Sequence, residues 1–261
     1  MRFGNPFKLI ARLSNPDAVD RHHPDAMLPD GTRVYAIGDI HGRADLLDAM
    51  VSKIADDVRE RPVDQPLTVL LGDYIDRGPR SAEVIDRLAR SDFATPIVTL
   101  TGNHEDIFGQ VLRGSASLDR FLGMGGDATL RSYGLDPRAM QRMRTSDRQA
   151  ALRGSVSPSH RAFLEATRLS FTVGRYFFCH AGARPGVPLD EQSREDLVWI
   201  REDFLKSSFD FGKIIVHGHT PVKTPEVRPN AINVDTKAFA SGVLTAVALE
   251  GNQRRFLQVR V

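Results

Sequence analysis

The first half of the chain alternates short apolar runs with segments of helical periodicity. Val34–Ile37, Leu67–Leu71 and Ile97–Leu100 have the length and composition of buried strands. Apolar residues at helical spacing follow the first run, Ser81–Arg90 follows the second, and Glu105–Leu112 follows the third. This alternation of strands and helices predicts a parallel sheet with right-handed crossovers.

The second half of the chain is rich in predicted strands. Six segments have strand composition: Ser170–Val173, Arg175–Cys179, Lys213–Val216, Ala231–Asp235, Val243–Leu249 and Arg255–Val259. Turn residues between neighbouring segments indicate that most of them are joined as hairpins. We therefore expect an α/β fold in which a second sheet packs on the first and helices cover the outside.

Between the two halves lies a stretch that we interpret as a helical insertion, at about residues 113–169. Its second part holds eight arginines, at positions 131, 138, 142, 144, 148, 153, 161 and 168. They could form a basic rim for phosphorylated substrates or a solvated helical face. We favour the solvated face, because charge runs usually lie in water.

The composition is that of one domain with a single core. The chain has 261 residues, of which 41% are hydrophobic. We place the domain at residues 32–261 and interpret 1–31, which hold four prolines, as a flexible N-terminal extension. The net charge of +2 favours neither nucleic acid nor a membrane as a partner. With one cysteine and no signal peptide, we expect a cytoplasmic protein of open oligomeric state.

Polar side chains follow the ends of five predicted strands, and each set lies beside a glycine. The five turns are GDIHG (38–42), GDYIDRG (72–78), GNHE (102–105), HAG (180–182) and GHTP (218–221). Open α/β sheets bind ligands at the carboxyl ends of their strands. One such turn would be ordinary structure, since buried imidazoles usually find hydrogen bonds. Five of them in one chain favour a functional site.

The side chains in these turns have the donor types of a metal centre. The candidate ligands are Asp39, His41, Asp73, Asn103, His180 and His219. Mixed oxygen and nitrogen donors suit Mn, Fe or Zn, and not calcium. Six ligands exceed the four of a structural zinc site. Two divalent ions that share a carboxylate fit better, and we expect Mn²⁺, with Fe and Zn as alternatives.

Taken together, the five motifs resemble those of the PPP-type serine/threonine phosphoprotein phosphatases. The likeness is to their compact bacterial and phage branch, within the calcineurin-like metallophosphoesterases, and it covers residues 33–249. It implies a β-sandwich of two mixed sheets flanked by helices. That architecture agrees with the two sheets expected from the apolar pattern.

The resemblance also implies a role for each motif residue. Two metal ions would be held by Asp39 and His41 (first ion), Asp73 (bridging both), and Asn103, His180 and His219 (second ion). Arg77 and, on a shorter match, Arg201 would bind the phosphate. His104 would act as the general acid, oriented by Asp76. His219 is preferred over His217 as a ligand because it occupies the Gly-His-Thr position.

The activity implied by the resemblance is that of a metal-dependent protein phosphatase. A hydroxide held between the ions would attack phosphoserine or phosphothreonine, with phosphotyrosine left open, in a phosphoprotein or phosphopeptide substrate. The alternative is hydrolysis of dinucleoside polyphosphates such as diadenosine tetraphosphate, by a sister branch that usually differs at Tyr74–Asp76 and Glu105. A remote alternative, a non-catalytic metal-binding scaffold, is disfavoured because His104, Asp76 and Arg77 are all present.

Overall fold

A computed structural model describes residues 27–261 of the chain. The predicted flexible extension therefore lies outside the described residues, apart from residues 27–31. In this short part Leu28 is buried in the core between the sheets, and its amide donates to the Gly251 carbonyl at 3.1 Å. Across residues 27–261, no helix combines the length and the apolar character needed to cross a lipid bilayer.

The first sheet has five strands. They are β1 (Thr32–Ile37), β2 (Gln65–Leu70), β3 (Ile97–Thr99), β9 (Val243–Glu250) and β10 (Gln253–Arg260). Their order is β10-β9-β1-β2-β3, and β1, β2 and β3 are parallel as predicted. The last hairpin, β9–β10, pairs antiparallel with β1. It thus extends the first sheet and not the second, to which its hairpin pattern had assigned it.

The second sheet also has five strands. They are β4 (Ser170–Val173), β5 (Tyr176–Cys179), β6 (Ile214–His217), β7 (Glu226–Arg228) and β8 (Ala231–Asn233). Their order is β4-β5-β6-β8-β7. The predicted hairpin joins β4 to β5, whereas β5, β6 and β8 are parallel. The unpredicted strand β7 has only three residues, and none of them is fully buried.

Helices flank the two sheets and fill the insertion. The longer ones are α1 (Ala44–Glu60), α2 (Ser81–Arg90) and α3 (Asn103–Arg113). The insertion holds α4 (Leu118–Gly123), α5 (Gly126–Ser132), α6 (Pro137–Arg142), α7 (Thr145–Ser155) and α8 (Pro158–Ala166). The short α9 (Arg194–Trp199), α10 (Glu202–Leu205) and α11 (Ala238–Ser241) were not predicted. The predicted α/β fold of two mixed sheets flanked by helices is confirmed.

Side-chain alternation along the strands divides the interior into separate cores. In β1, Val34 and Ala36 pack between the two sheets, whereas Tyr35 and Ile37 pack under the helices. In β5, Cys179 points to the outer side of the second sheet, where it lies in a small apolar core. Because parallel strands of both sheets end at the same side of the sandwich, their terminal turns can converge.

Several arginines of the insertion have structural partners. Arg148 and Arg161 donate hydrogen bonds to backbone carbonyls within the insertion. Arg131 and Arg144 form exposed ion pairs with acids three or four residues away. These contacts favour a structural role for the arginine-rich stretch over a continuous basic rim.

The buried carboxylate of Asp57 connects helix α1 to strands β1 and β10 through hydrogen bonds. Arg255 donates to it through both guanidinium nitrogens, at 3.0 and 2.9 Å, and the Tyr35 hydroxyl donates at 2.6 Å. Burial by itself would raise the pKa of Asp57. The hydrogen bonds from Arg255 and Tyr35 outweigh it and lower the pKa to about 2.

We expect Asp57→Asn to lower the free energy of unfolding by about 3 kcal/mol at pH 7, because it leaves buried Arg255 without its counter-charge. A lowered folded-state pKa stabilises the protein above about pH 4 and ceases to do so as the pH falls toward 2. Urea unfolding of both proteins at pH 7 and pH 3 measures this difference. A gap below about 1 kcal/mol at pH 7, or one that widens at pH 3, would contradict the assignment.

Candidate metal centre and active site

Two glycine-first turns bring the ends of β2 and β3 into direct contact. Gly72 and Asp73 both have left-handed backbone conformations, with φ of +106° and +52°. A Cβ atom on Gly72 would lie 2.5 Å from the Gly102 amide nitrogen. One on Gly102 would lie 2.2 Å from Asp73 Oδ1. The glycines therefore permit an approach that a side chain would block, and it sets Asp73 beside Asn103.

Four side-chain atoms from both sheets form what we call the second donor group. They are Asp73 Oδ1, Asn103 Oδ1, His180 Nε2 and His219 Nδ1. Asn103 Oδ1 lies 2.9 Å from each histidine nitrogen, the two nitrogens are 3.2 Å apart, and Asp73 Oδ1 is 3.3 Å from His180. Ligands of one ion bound at about 2.1 Å are separated by similar distances. The group has the dimensions of a metal site.

The other oxygen of Asp73 faces what we call the first donor group. Asp73 Oδ2 lies 3.4 Å from His41 Nε2 and 3.8 Å from His104 Nε2, and all three residues are buried. One carboxylate thus turns one oxygen to each group. This is the arrangement that a bridging ligand requires.

Asp39, predicted as a ligand of the first ion, lies at the junction with the Gly218–His219 turn. Its two carboxylate oxygens accept from the His219 amide at 3.2 and 3.1 Å. A Cβ on Gly218 would lie 2.1 Å from Asp39 Oδ1. The group of possible metal ligands around His41 contains His104 in addition to Asp73. That Asp39 is a metal ligand and His104 the general acid therefore stays a prediction.

Backbone carbonyls orient two of the imidazoles. His41 Nδ1 lies 2.8 Å from the Ile75 carbonyl and His180 Nδ1 lies 2.9 Å from the Leu71 carbonyl. Because a carbonyl only accepts, each Nδ1 carries the proton and each Nε2 turns a lone pair to its donor group. Burial lowers the pKa of both rings, to about 3 for His180, so both are neutral.

The carboxylates in the centre lie close together and away from water. Burial raises the pKa of Asp39, Asp73 and Asp235, and for Asp39 the charges of the other two raise it further. The pKa of Asp235 rises to about 6. Buried acids of like charge are stabilised by cations. With neutral imidazoles and an amide oxygen beside them, the donor set fits two divalent metal ions.

His104 and Asp76, predicted as acid and orienting residue, are in direct contact. His104 Nδ1 lies 2.6 Å from Asp76 Oδ2, and Asp76 Oδ1 accepts from the Thr129 hydroxyl at 2.6 Å. Thr129 belongs to the insertion, which therefore helps to hold the pair. This bond leaves His104 Nε2 facing Asp73 and the motif arginine Arg77. Burial lowers the pKa of His104, while the negative charge of Asp73 raises it.

Each donor group has one arginine guanidinium beside it. Arg77 places its terminal nitrogens 3.0 Å from His41 Nε2 and 3.2 Å from His104 Nε2, beside the first group. Arg201 donates from Nε to His219 Nε2 at 3.1 Å, beside the second group. Both arginines thus reach the centre, and their binding of a phosphate stays a prediction.

Three residues at the site were given no role there by the sequence analysis, which used Glu105 only to distinguish the two branches. Glu105 accepts hydrogen bonds from the amides of Asp73 and Tyr74, at 2.8 Å each, and burial raises its pKa to about 8. Asp235 follows β8, but it has no glycine beside it and fell inside the predicted strand Ala231–Asp235, so the pattern that identified the other acids did not select it. The Phe239 ring lies 4.9 Å from the Arg77 guanidinium carbon, and a lone aromatic gives no comparable signal.

His217 and His219 lie on different sides of the second sheet. His219 joins the second donor group, whereas His217 packs edge-on against Phe204, with ring centres 5.0 Å apart, in the outer core. Residues two apart in a strand would share a face, but β6 ends at His217 and the left-handed backbone of His219 turns its side chain the other way.

A family model for calcineurin-like phosphoesterases matches residues 32–241 of this chain. Curated relatives at 26–28% identity cover about four fifths of this chain. A bis(5′-nucleosyl)-tetraphosphatase (asymmetrical) of Halalkalibacterium halodurans is 26% identical over 231 residues, which are 81% of this chain and 87% of that protein. The enzyme of the same name from Bacillus subtilis is 28% identical over 230 residues, 80% of this chain and 87% of that protein.

Solved structures share the fold at low identity. A candidate diadenosine tetraphosphatase superposes with a TM-score of 0.61 at 19% identity, over 90% of this chain and 96% of that chain. A cold-active protein tyrosine phosphatase of a psychrophilic Shewanella species gives a TM-score of 0.54 at 17% identity, over 92% of this chain and 81% of that chain. At such identity these likenesses concern the fold alone.

These comparisons correct the predicted partner. The sequence motifs led us to expect a phosphoprotein or phosphopeptide substrate, and that prediction is wrong. Four curated relatives that span about four fifths of the chain are all named bis(5′-nucleosyl)-tetraphosphatases. The roles expected for the motif residues concern the ions and the reacting phosphate, and therefore do not report what the phosphate is attached to.

Proposed function

This chain belongs to the calcineurin-like phosphoesterase family, and from that premise we propose that it is a metal-dependent hydrolase of dinucleoside polyphosphates. The reaction would cleave diadenosine tetraphosphate or a close analogue asymmetrically, into a nucleoside monophosphate and a nucleoside triphosphate. We propose Mn²⁺ as the ion at both donor groups.

The observation that carries the proposal is the shared Asp73 carboxylate with an arginine on each side. Asp73 turns one oxygen to each donor group, while Arg77 lies beside the first group and Arg201 beside the second. Such a centre concentrates positive charge once cations are present, and suits a chain of phosphates better than an isolated one. The names of the curated relatives support the asymmetrical cut.

The residues of this chain would divide the work of hydrolysis. Asp39, His41, Asp73, Asn103, His180 and His219 would hold the two ions, which when bound would supply a nucleophilic water and neutralise phosphate oxygens. The guanidinium forks of Arg77 and Arg201 would bind and orient oxygens of the reacting phosphate. His104 would hold a proton at Nε2 for the departing oxygen, with its ring fixed by Asp76.

Chromatography of the products tests the proposal. We expect the Mn²⁺-loaded protein to convert diadenosine tetraphosphate into equal amounts of AMP and ATP, separated by anion exchange. The matched control is the same protein treated with EDTA, which should form neither product until Mn²⁺ is restored. Two ADP molecules per substrate would refute the asymmetrical cut. No hydrolysis, despite activity on p-nitrophenyl phosphate, would refute the substrate class.

A further inference from the structure

A cavity near the second donor group has in its wall an arginine that contacts this group. The cavity has a volume of 290 Å³ and is bordered by residues that follow β5 and by helices α9 and α10. Arg201 lies in its wall and also donates to His219 in the metal centre. A ligand group in this cavity would therefore be joined to the reacting phosphates through one guanidinium.

The charges around this cavity do not favour a phosphate chain. Its wall has four carboxylates, from Glu195, Asp196, Glu202 and Asp203, and two guanidiniums, from Arg184 and Arg201. Arg184 is already paired with Asp196 at 2.7 Å and with Asp203 at 3.0 Å. A polyphosphate would meet net negative charge here. A neutral group with hydroxyl and amine donors would find acceptors, and a nucleoside has both kinds of donor.

The same cavity contains the only tryptophan in the chain, Trp199. The indole is partly buried and packs against the helical core, so its position is held. The Arg120 guanidinium carbon lies 5.4 Å from the centre of the ring. A fixed aromatic face beside a phosphate-binding arginine is the usual platform on which nucleic-acid bases stack.

We propose that the Trp199 cavity binds one nucleoside of the dinucleoside polyphosphate. The base stacks on the indole, the ribose hydroxyls donate to the carboxylates of the rim, and the attached phosphate reaches Arg201. This inference rests on the proposed function and assigns a subsite to it. With 290 Å³, at the small end of ligand pockets, the cavity takes one nucleoside, and the other lies elsewhere on the protein.

A larger cavity of 640 Å³ offers the rival location. It lies between α3 and the insertion and is lined by Arg113, Arg153, Arg161 and Arg194. It includes Glu105 but none of the six candidate metal ligands or the two phosphate arginines. Its arginines would suit phosphates, yet it does not share a phosphate-binding residue with the centre, as the Trp199 cavity does.

Kinetics of paired variants test the subsite. Trp199→Ala should lower kcat/KM for diadenosine tetraphosphate by about 5- to 100-fold more than it lowers kcat/KM for p-nitrophenyl phosphate. Most of this loss should come from a higher KM. Trp199→Phe, which keeps an aromatic face, should recover most of the loss. Phe209→Ala, which removes an exposed aromatic outside this cavity, is the control and should leave both values as in the wild type.

Fluorescence gives a second readout, because the sole tryptophan lies in the wall of this cavity. Emission of the Mn²⁺-loaded wild type should be quenched by AMP in a saturable manner and not by inorganic phosphate. An unchanged substrate ratio in Trp199→Ala, or equal effects of AMP and phosphate, would overturn the subsite. If Arg153→Ala, and not Trp199→Ala, lowers kcat/KM for diadenosine tetraphosphate selectively, the nucleoside binds in the larger cavity and the subsite is also overturned. Failure of the wild type to cleave diadenosine tetraphosphate would instead refute the proposed function.

Discussion

Replacing Asp73 with asparagine should abolish metal-dependent activity and remove bound metal from both donor groups. Within residues 27–261, Asp73 is the one side chain that turns an oxygen to each group, at 3.3 Å from His180 Nε2 and 3.4 Å from His41 Nε2. Asparagine replaces one of these oxygens with a nitrogen that cannot bind a cation, and it removes the negative charge that both ions share. We expect kcat/KM for p-nitrophenyl phosphate to fall by at least about 10³-fold.

Metal content should fall with the rate. Elemental analysis of the purified variant should give fewer than one ion per chain, where we expect two for the wild type. The matched control is Asp57→Asn, which makes the same chemical change at a buried carboxylate remote from the centre. It should lose stability but keep its metal and its rate. If Asp73→Asn retains two ions and turns over within tenfold of the wild type, the shared-carboxylate centre is wrong.

Replacing His104 with asparagine should slow the enzyme to an extent set by the basicity of the leaving group. A general acid contributes about 10²–10⁴-fold where the departing oxygen is strongly basic, and much less where it is not. For phenyl phosphate, which leaves as a basic phenolate, we expect a loss of about 10²–10³-fold. For p-nitrophenyl phosphate and for diadenosine tetraphosphate, whose leaving oxygens are weak bases, the loss should be nearer tenfold.

Two further measurements separate the acid from a ligand. The structure brings His104 Nε2 to 3.8 Å from Asp73 Oδ2, so a ligand role predicts metal loss in His104→Asn, whereas an acid role predicts normal metal content. Asp76→Asn should show the same leaving-group bias more mildly, because it disturbs only the imidazole that it contacts at 2.6 Å. Equal losses on all three substrates, with both metals bound, would exclude His104 as the acid.

The substrate could not be predicted from the motifs because they describe only the reacting phosphate. Under the proposed function, residues such as Asp73, Arg77 and Asn103 would bind the ions and the reacting phosphate, whatever group the phosphate carries. We propose that Trp199 and the acids beside it recognise the nucleoside part of the substrate. These residues come from the short helices α9 and α10, which are too short to show a hydrophobic period in the sequence. The mistaken phosphoprotein partner follows from this difference.

By itself, the sequence determined the strands of the first parallel sheet, the turns that end them and the donor types in those turns. These features depend on short-range physics: alternation of apolar side chains, helical spacing, and glycines at turn positions of positive φ such as Gly72. The expectation that candidate ligands from parallel strands lie at one side of a sheet also follows from strand direction, because parallel strands present their carboxyl ends together.

Only the tertiary structure decided which strands became neighbours and which atoms face each other. The hairpin β9–β10 joins the first sheet because β1 offers it a free edge, and nothing local distinguishes that edge from one in the second sheet. The division of the Asp73 oxygens between two donor groups, and the shared position of Arg201 between the metal centre and the Trp199 cavity, arise from contacts between distant segments. Such contacts depend on packing of the whole chain, which no local pattern encodes.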